Sequence, residues 1–256
     1  MNGSERTPLR RAIKWLDNFW YHQKWIVIII AFFAVTITIC MVQMVTKVDD
    51  DVCILYAGPC EFSPNQTREI QSAFRSVMED YNGDGEKQVE FVNLLLMTDE
   101  QLEEAIAAAQ ADGNVLLYNQ QTINENKNKY TTQIFAGQTS ICLLDPNWYG
   151  NVRDSGGFAK LSDVLGCTPE NAVDEYAVRL ADTPFAQAFS ALALYPEDTL
   201  LCLRLKSTVT IFKSEKKQDA WYENQCKMFR SIMGFTLPES GTLPEREEET
   251  SIEAEA

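Results

Sequence analysis

Between Trp25 and Val45 the chain runs through WIVIIIAFFAVTITICMVQMV without one charged side chain. As a helix this stretch is about 31 Å long, the thickness of a hydrocarbon core. An export signal has a shorter apolar region and a small-x-small cleavage site, whereas the flank here is MVQMVTKVDDD. Cys40 follows Ile39, and apolar residues continue beyond it, which does not fit a lipid-attachment cysteine. The stretch is therefore expected to stay in place as a single transmembrane anchor over residues 25–45, with the lipid bilayer as its partner.

The flanks set the expected direction. Arg6, Arg10, Arg11, Lys14 and Lys24 outweigh Glu5 and Asp17 before the span, and Asp49, Asp50 and Asp51 follow it. Basic flanks favour the cytoplasmic side, which puts residues 1–24 inside and the remainder outside the cell membrane. Trp15, Phe19, Trp20, Tyr21 and Trp25 form an aromatic belt at the inner interface. Leu9, Ile13 and Leu16 beside the basic residues suggest a short helix along the inner leaflet; topology alone also explains that charge.

The formal charge of −15 falls mostly on the outer part, and no basic stripe interrupts it. Nucleic acid is thus excluded as an expected partner, and neutral or cationic ligands are favoured over anionic ones. The one histidine, His22, lies on the inner side. An outer domain without imidazole has neither the Ser-His-Asp or Cys-His machinery nor a histidine-bound zinc. A two-carboxylate hydrolase needs no histidine, but Glu100, Glu103 and Glu104 read as the wet face of one helix. No enzyme is expected. Cys53, Cys60, Cys142, Cys167, Cys202 and Cys226 lie beyond the span. An even number outside the cell permits disulfides, yet Cys53, Cys142 and Cys202 sit inside apolar runs where cysteine packs as a small hydrophobe.

From Val52 onward, strand and helix signals alternate. VCILYAG (52–58), VEFVNLLL (89–96), NVLLYN (114–119), TSICLLDP (139–146) and TLLCLRL (199–205) read as buried strands. Ser63-Pro64-Asn65-Gln66 and Thr98-Asp99-Glu100-Gln101 read as capping boxes that open helices. Ser214–Gly234 reads as a closing helix. Residues 170–194 fit either a helix after Thr168-Pro169 or a short strand followed by a helix from Thr183-Pro184. The expected fold class is α/β, a mostly parallel sheet with helices on both faces. Residues 46–236 make one extracytoplasmic domain, and 237–256, rich in Glu, an acidic disordered tail.

Asp80, Asn82, Asp84 and Gly85 match the first, third, fifth and sixth places of a calcium loop, while Phe91 stands where the bidentate Glu belongs. Both a polar turn and a calcium site completed from elsewhere are open, and no other cofactor is implied. In open parallel sheets ligands sit beyond the carboxyl ends of the strands. There the chain has Tyr56, Asn119, Gln120, Asp145, Trp148 and Tyr149, with Gln121 and Asn147 among them. Aromatics mixed with amides and one carboxylate suit a small polar ligand; Trp148 and Tyr149 also fit as a lid on the core.

DVCILYAGP, the NGDGEKQVEF turn, VLLYN and PEDTLLCLRL resemble the first lobe of type 2 extracellular solute-binding proteins. FWYHQKW before an anchor resembles uncharacterised single-pass membrane proteins of Gram-positive anaerobes. The resemblance implies ligand capture between two lobes and delivery to a transporter. The chain has no usable lipid-attachment motif and too few residues for a second lobe. The expectation is a membrane-anchored, non-catalytic binding or interaction domain, solute-binding-like, acting on a small polar ligand or an envelope protein. A carboxylate-based hydrolase and an architectural or accessory subunit of a membrane complex are the alternatives.

Overall fold

The structure is a computed structural model that describes residues 8–45, 50–111, 113, 120–135, 137, 139–206 and 215–237. The strand expected at 114–119 and the tail beyond Leu237 lie outside the described residues. Two compact units divide at Asp49 and Asp50.

The first unit is a single helix, α1 (Pro8–Val45), of 38 residues. A short separate helix before the span is not what forms, because no breaker interrupts the sequence between Pro8 and Val45. Gln23–Val42 within it is long and apolar enough to cross a membrane, and none of that window is buried by protein. Phe19, Trp20, Tyr21 and Trp25 are also exposed.

The second unit holds β1 (Val52–Gly58), α2 (Pro64–Arg75), β2 (Val89–Leu95), α3 (Asp99–Ala111), α4 (Gln120–Phe135), β3 (Ile141–Leu144), α5 (Pro146–Asp154), α6 (Leu161–Leu165), β4 (Ala177–Arg179), α7 (Pro184–Ala188), β5 (Leu200–Leu203) and α8 (Glu215–Met233). It is a mixed α/β unit around one five-stranded sheet in the order β2-β1-β3-β5-β4. The same device starts several helices. Ser63 and Gln66 form a capping box at α2, Thr98 and Gln101 exchange the same two bonds at α3, and Asp145 and Thr183 cap α5 and α7 ahead of Pro146 and Pro184. Of the two readings of residues 170–194, the short strand followed by a helix at Thr183-Pro184 is the one that forms.

Strands β1, β2 and β3 are parallel, but β5 is antiparallel to both β3 and β4. The expectation of parallel pairing fails at β5 for a topological reason. Between β3 and β4 the chain returns through α5 and α6, and β5 then comes back beside β4, its entry fixed by the Leu180 N–H to Thr199 carbonyl bond. An antiparallel neighbour needs no helical crossover. Three further helices were not foreseen. Residues 120–135, 146–154 and 161–165, the second expected to be loop, are helical.

All seven residues of β1 are buried. Alternate side chains go to opposite faces of a strand, and the core divides accordingly. Val52, Ile54 and Tyr56 pack with Ile70 and Phe74 of α2, Phe185 of α7 and Met228, Phe229 and Ile232 of α8. Leu55 and Ala57 pack with Tyr130 and Ile134 of α4 and Tyr149 and Val152 of α5. Gln225, fully buried on α8, accepts from Cys53 N–H and donates to the Asp51 carbonyl, tying that helix to the start of β1. Every cysteine is a free thiol; Cys53, Cys142, Cys202 and Cys226 are buried, and burial raises the pKa of each whose shift is resolved, Cys53, Cys202 and Cys226.

Candidate functional site

With β2 and β3 on either side of β1, the connections diverge at the carboxyl ends of β1 and β3, which is where open α/β sheets place ligands. Here the ladder runs on past the strand ends. Asp145 N–H donates to the Ala57 carbonyl at 2.9 Å, and Leu96 N–H to that of Gly58 at 2.8 Å.

The side chains at this edge are spent on one another. Asp145 is 3% exposed. Its carboxylate accepts from Asn147 N–H at 2.9 Å, Asn147 Nδ2 at 3.1 Å and Gln101 Nε2 at 2.8 Å. Gln101 in turn accepts from Thr98 N–H at 2.9 Å. One amide side chain therefore joins the amino ends of α3 and α5 across the place where a ligand would approach. A carboxylate at a helix amino end is stabilised by the free N–H groups and the dipole there, so Asp145 has a structural partner for each oxygen.

Tyr56 is completely buried. Its hydroxyl accepts from Cys60 N–H at 3.2 Å, and its ring lies 5.2 Å from Phe62 and 5.0 Å from Tyr195. A Cβ at Gly58 would come within 2.6 Å of the Tyr56 hydroxyl, so glycine is what lets the ring lie against the strand end. Burial pushes the Tyr56 and Tyr195 hydroxyls well above the usual tyrosine range. Tyr149 is buried too, stacked on Phe158 at 5.0 Å, with its hydroxyl donating to the Asp174 carboxylate at 2.7 Å. Desolvation and that neighbouring carboxylate raise its pKa. Trp148 packs edge-on to Tyr130 at 5.6 Å, Tyr130 Oη donates to the Trp148 carbonyl, and Lys127 Nζ stands 6.0 Å from the indole.

Of the six residues singled out for ligand contact, the structure brings Asp145, Trp148 and Tyr149 together at the start of α5 and places Tyr56 inside the opposite face of the core. Asn119 lies outside the described residues, and Gln120 opens α4 with its side chain outside them. Glu100, Glu103 and Glu104 are exposed on α3. Gln101, Asp174 and Gln225 were not singled out. Only Gln101 left a sign, as the fourth residue of a capping box.

The loop at 80–85 closes on its own amides. Asp80 accepts from Gly83 N–H at 2.6 Å and Gly85 N–H at 2.8 Å, Asn82 from Asp84 N–H at 2.8 Å, and Asp84 from Glu86 N–H at 2.9 Å. The Gly85 amide is the largest cause holding the Asp80 pKa below the ordinary carboxylate value. Asp51, 2% exposed, anchors the loop by accepting from Tyr81, Asn82 and Gln88 N–H groups. Calcium needs six or more oxygens, including bidentate carboxylates. Among the described residues no group of three or more His, Cys, Asp or Glu is placed to hold a metal. Asp80, Asn82 and Asp84 each give side-chain oxygens to the amides of this turn.

No protein family, curated protein or solved structure matches the chain.

Proposed function

We propose that this protein is a membrane-anchored, non-catalytic interaction domain that works in the envelope by contact with another protein. In this reading α1 crosses the bilayer with its basic end in the cytoplasm, residues 46–236 form one extracytoplasmic domain, and the acidic 237–256 remain a solvated tail. Helices cover both faces of the sheet, as in one lobe of a solute-binding protein. Support for the anchor comes from an apolar window with no protein over it. Support for contact over capture comes chiefly from one observation: Asp145 and Gln101 bond each other at the strand ends, where a solute would need free polar groups.

The test is the unfolding midpoint of the full chain in detergent against a panel of amino acids, sugars, short peptides and calcium. The expected result is no shift from any of them. A shift that disappears in both Asp145→Asn and Tyr149→Phe would restore solute capture at the strand ends and overturn the proposal.

A further inference from the structure

Strands β3 and β5 set two cysteines directly opposite each other. Cys142 of β3 is the register partner of Cys202 of β5 in their antiparallel ladder. Directly opposed residues send their side chains to the same face of a sheet, and both cysteines belong to the core face that α4 and α5 cover. Both are fully buried. Cys202 Sγ lies 3.6 Å from the Cys142 carbonyl, to which its thiol donates. After burial, a hydrogen bond with the Cys142 thiol is the next cause that raises the Cys202 pKa, so sulfur faces sulfur. Arg204 N–H donates to the Ser140 carbonyl at 2.7 Å. Bonded pairs recur at every second residue, which makes Cys142 and Cys202 a hydrogen-bonded pair with about 5.5 Å between Cα atoms. That separation lies within the roughly 4.4–6.8 Å a disulfide needs.

The remaining cysteines have no such placement. Cys53 stands two residues before Leu55, the partner of Cys142 on β1, and a diagonal neighbour at roughly 7–8 Å is outside disulfide reach. Cys60 and Cys226 pack on the opposite core face, Cys167 is exposed, and Cys40 lies in α1. Oxidation of the opposed pair also orphans no backbone group. The Cys142 thiol donates to the Ser140 carbonyl at 3.7 Å, but that oxygen keeps the Arg204 N–H. The Arg204 Nε–H is held separately, by the Thr139 carbonyl at 2.7 Å.

We propose that Cys142 and Cys202 form a disulfide that staples β5 to β3. The oxidant is an external disulfide. One cysteine thiolate attacks it, a mixed S–S bond forms and one external thiol leaves; the second cysteine then displaces the other. Two electrons pass to the external disulfide, and the two protons of the protein thiols end on the two released thiols. Neither sulfur reaches solvent in the folded domain, so the exchange takes place before α4 and α5 close over this face. The link spans 60 residues of chain and joins the parallel half of the sheet to the strand that returns antiparallel. It depends on neither the proposed contact function nor the sidedness of the anchor, because the oxidant is supplied in the tube.

The full chain is synthesised cell-free into detergent micelles, once with mixed reduced and oxidised glutathione and once with reduced glutathione alone. Free thiols are alkylated in denaturant and the peptides mapped by mass spectrometry. The expected product of the oxidising reaction has Cys142 joined to Cys202 and the other cysteines alkylated. Its unfolding midpoint exceeds that of the reduced chain by on the order of 10 °C, the effect of closing so long a loop. Cys142→Ala removes both the link and the rise, while Cys53→Ala keeps both. The peptide map is read on the unaltered chain, so it stands whether or not Cys142→Ala folds. Three results overturn the proposal: alkylation of both Cys142 and Cys202 in the oxidising reaction, pairing of either with another cysteine in equal yield, or an oxidised chain no more stable than the reduced one.

Discussion

Strand β1 and the middle of α1 are equally apolar, yet their surroundings are opposite. Val52, Ile54, Leu55, Tyr56 and Ala57 are wholly buried, whereas Ile30, Phe32, Phe33 and Val35 of α1 are more than half exposed. A seven-residue run finds cover within one domain because neighbouring strands and helices pack on both its faces. A twenty-residue window with no polar face finds none among the described residues. At roughly 25 cal/mol per Å² of apolar surface, leaving such a helix in water costs far more than a domain's net stability, and the proposed bilayer anchor would supply the cover. Apolar content alone therefore does not say what buries a segment; length and the absence of a wet face do.

Matched charges placed in the two regions should separate these environments. Ile54→Arg puts an unpaired charge in a dry core and is expected to cost at least about 4 kcal/mol, unfolding the outer domain, while the chain still sediments with membranes. Phe33→Arg, near the centre of the span, is expected to cost about 2.5–3.5 kcal/mol of membrane insertion. It should shift protein from the membrane to the soluble fraction without lowering the unfolding midpoint of the outer domain. If both substitutions gave the same phenotype, the distinction between the regions would fail.

Gly58→Ala sharpens the contrast at the end of β1. The added methyl collides with the Tyr56 ring and is expected to cost about 1–3 kcal/mol, read by denaturant unfolding. Tyr56→Phe in the same chain should recover part of that loss, because the hydroxyl is the closest atom. The smallest effect belongs to the 80–85 turn. Asp80 is half-buried and its pKa lies below the ordinary 3.8, so the ionised form is the one the folded turn favours. That contribution is complete above 3.8 and fades as pH falls through the depressed value. Amide exchange at Gly83 and Gly85 should accelerate over that acid range in wild type, with no matching step in Asp80→Asn.

Much of the fold was legible because it is written in local chemistry. Ser63-Pro64 and Thr183-Pro184 open helices here, and a run such as VCILYAG leaves few alternatives to a buried strand. Three features were beyond local reading. An apolar run carries no direction, so nothing in LLCL announces that β5 lies antiparallel. Helix α4 exposes most of its surface and buries only Ile123, Tyr130 and Ile134 among its described side chains, while Asn126 reaches the Leu95 carbonyl, too sparse a pattern to show as a stripe. The structural roles of Asp51, Gln101, Arg204 and Gln225 depend on partners tens of residues away. The strand ends were legible as a place for a candidate site, but which polar groups remain free there is a matter of tertiary bonding.

Sidedness is the claim on which the functional reading rests, and protease access measures it most directly. Cells carrying the chain with an epitope at each end are treated with external protease before and after permeabilisation. The account predicts that the outer domain and its carboxyl-terminal epitope are lost from intact cells while the amino-terminal epitope survives until they are opened. An outer domain that survives on intact cells and is digested only after permeabilisation, although the isolated protein is readily cleaved, would contradict it.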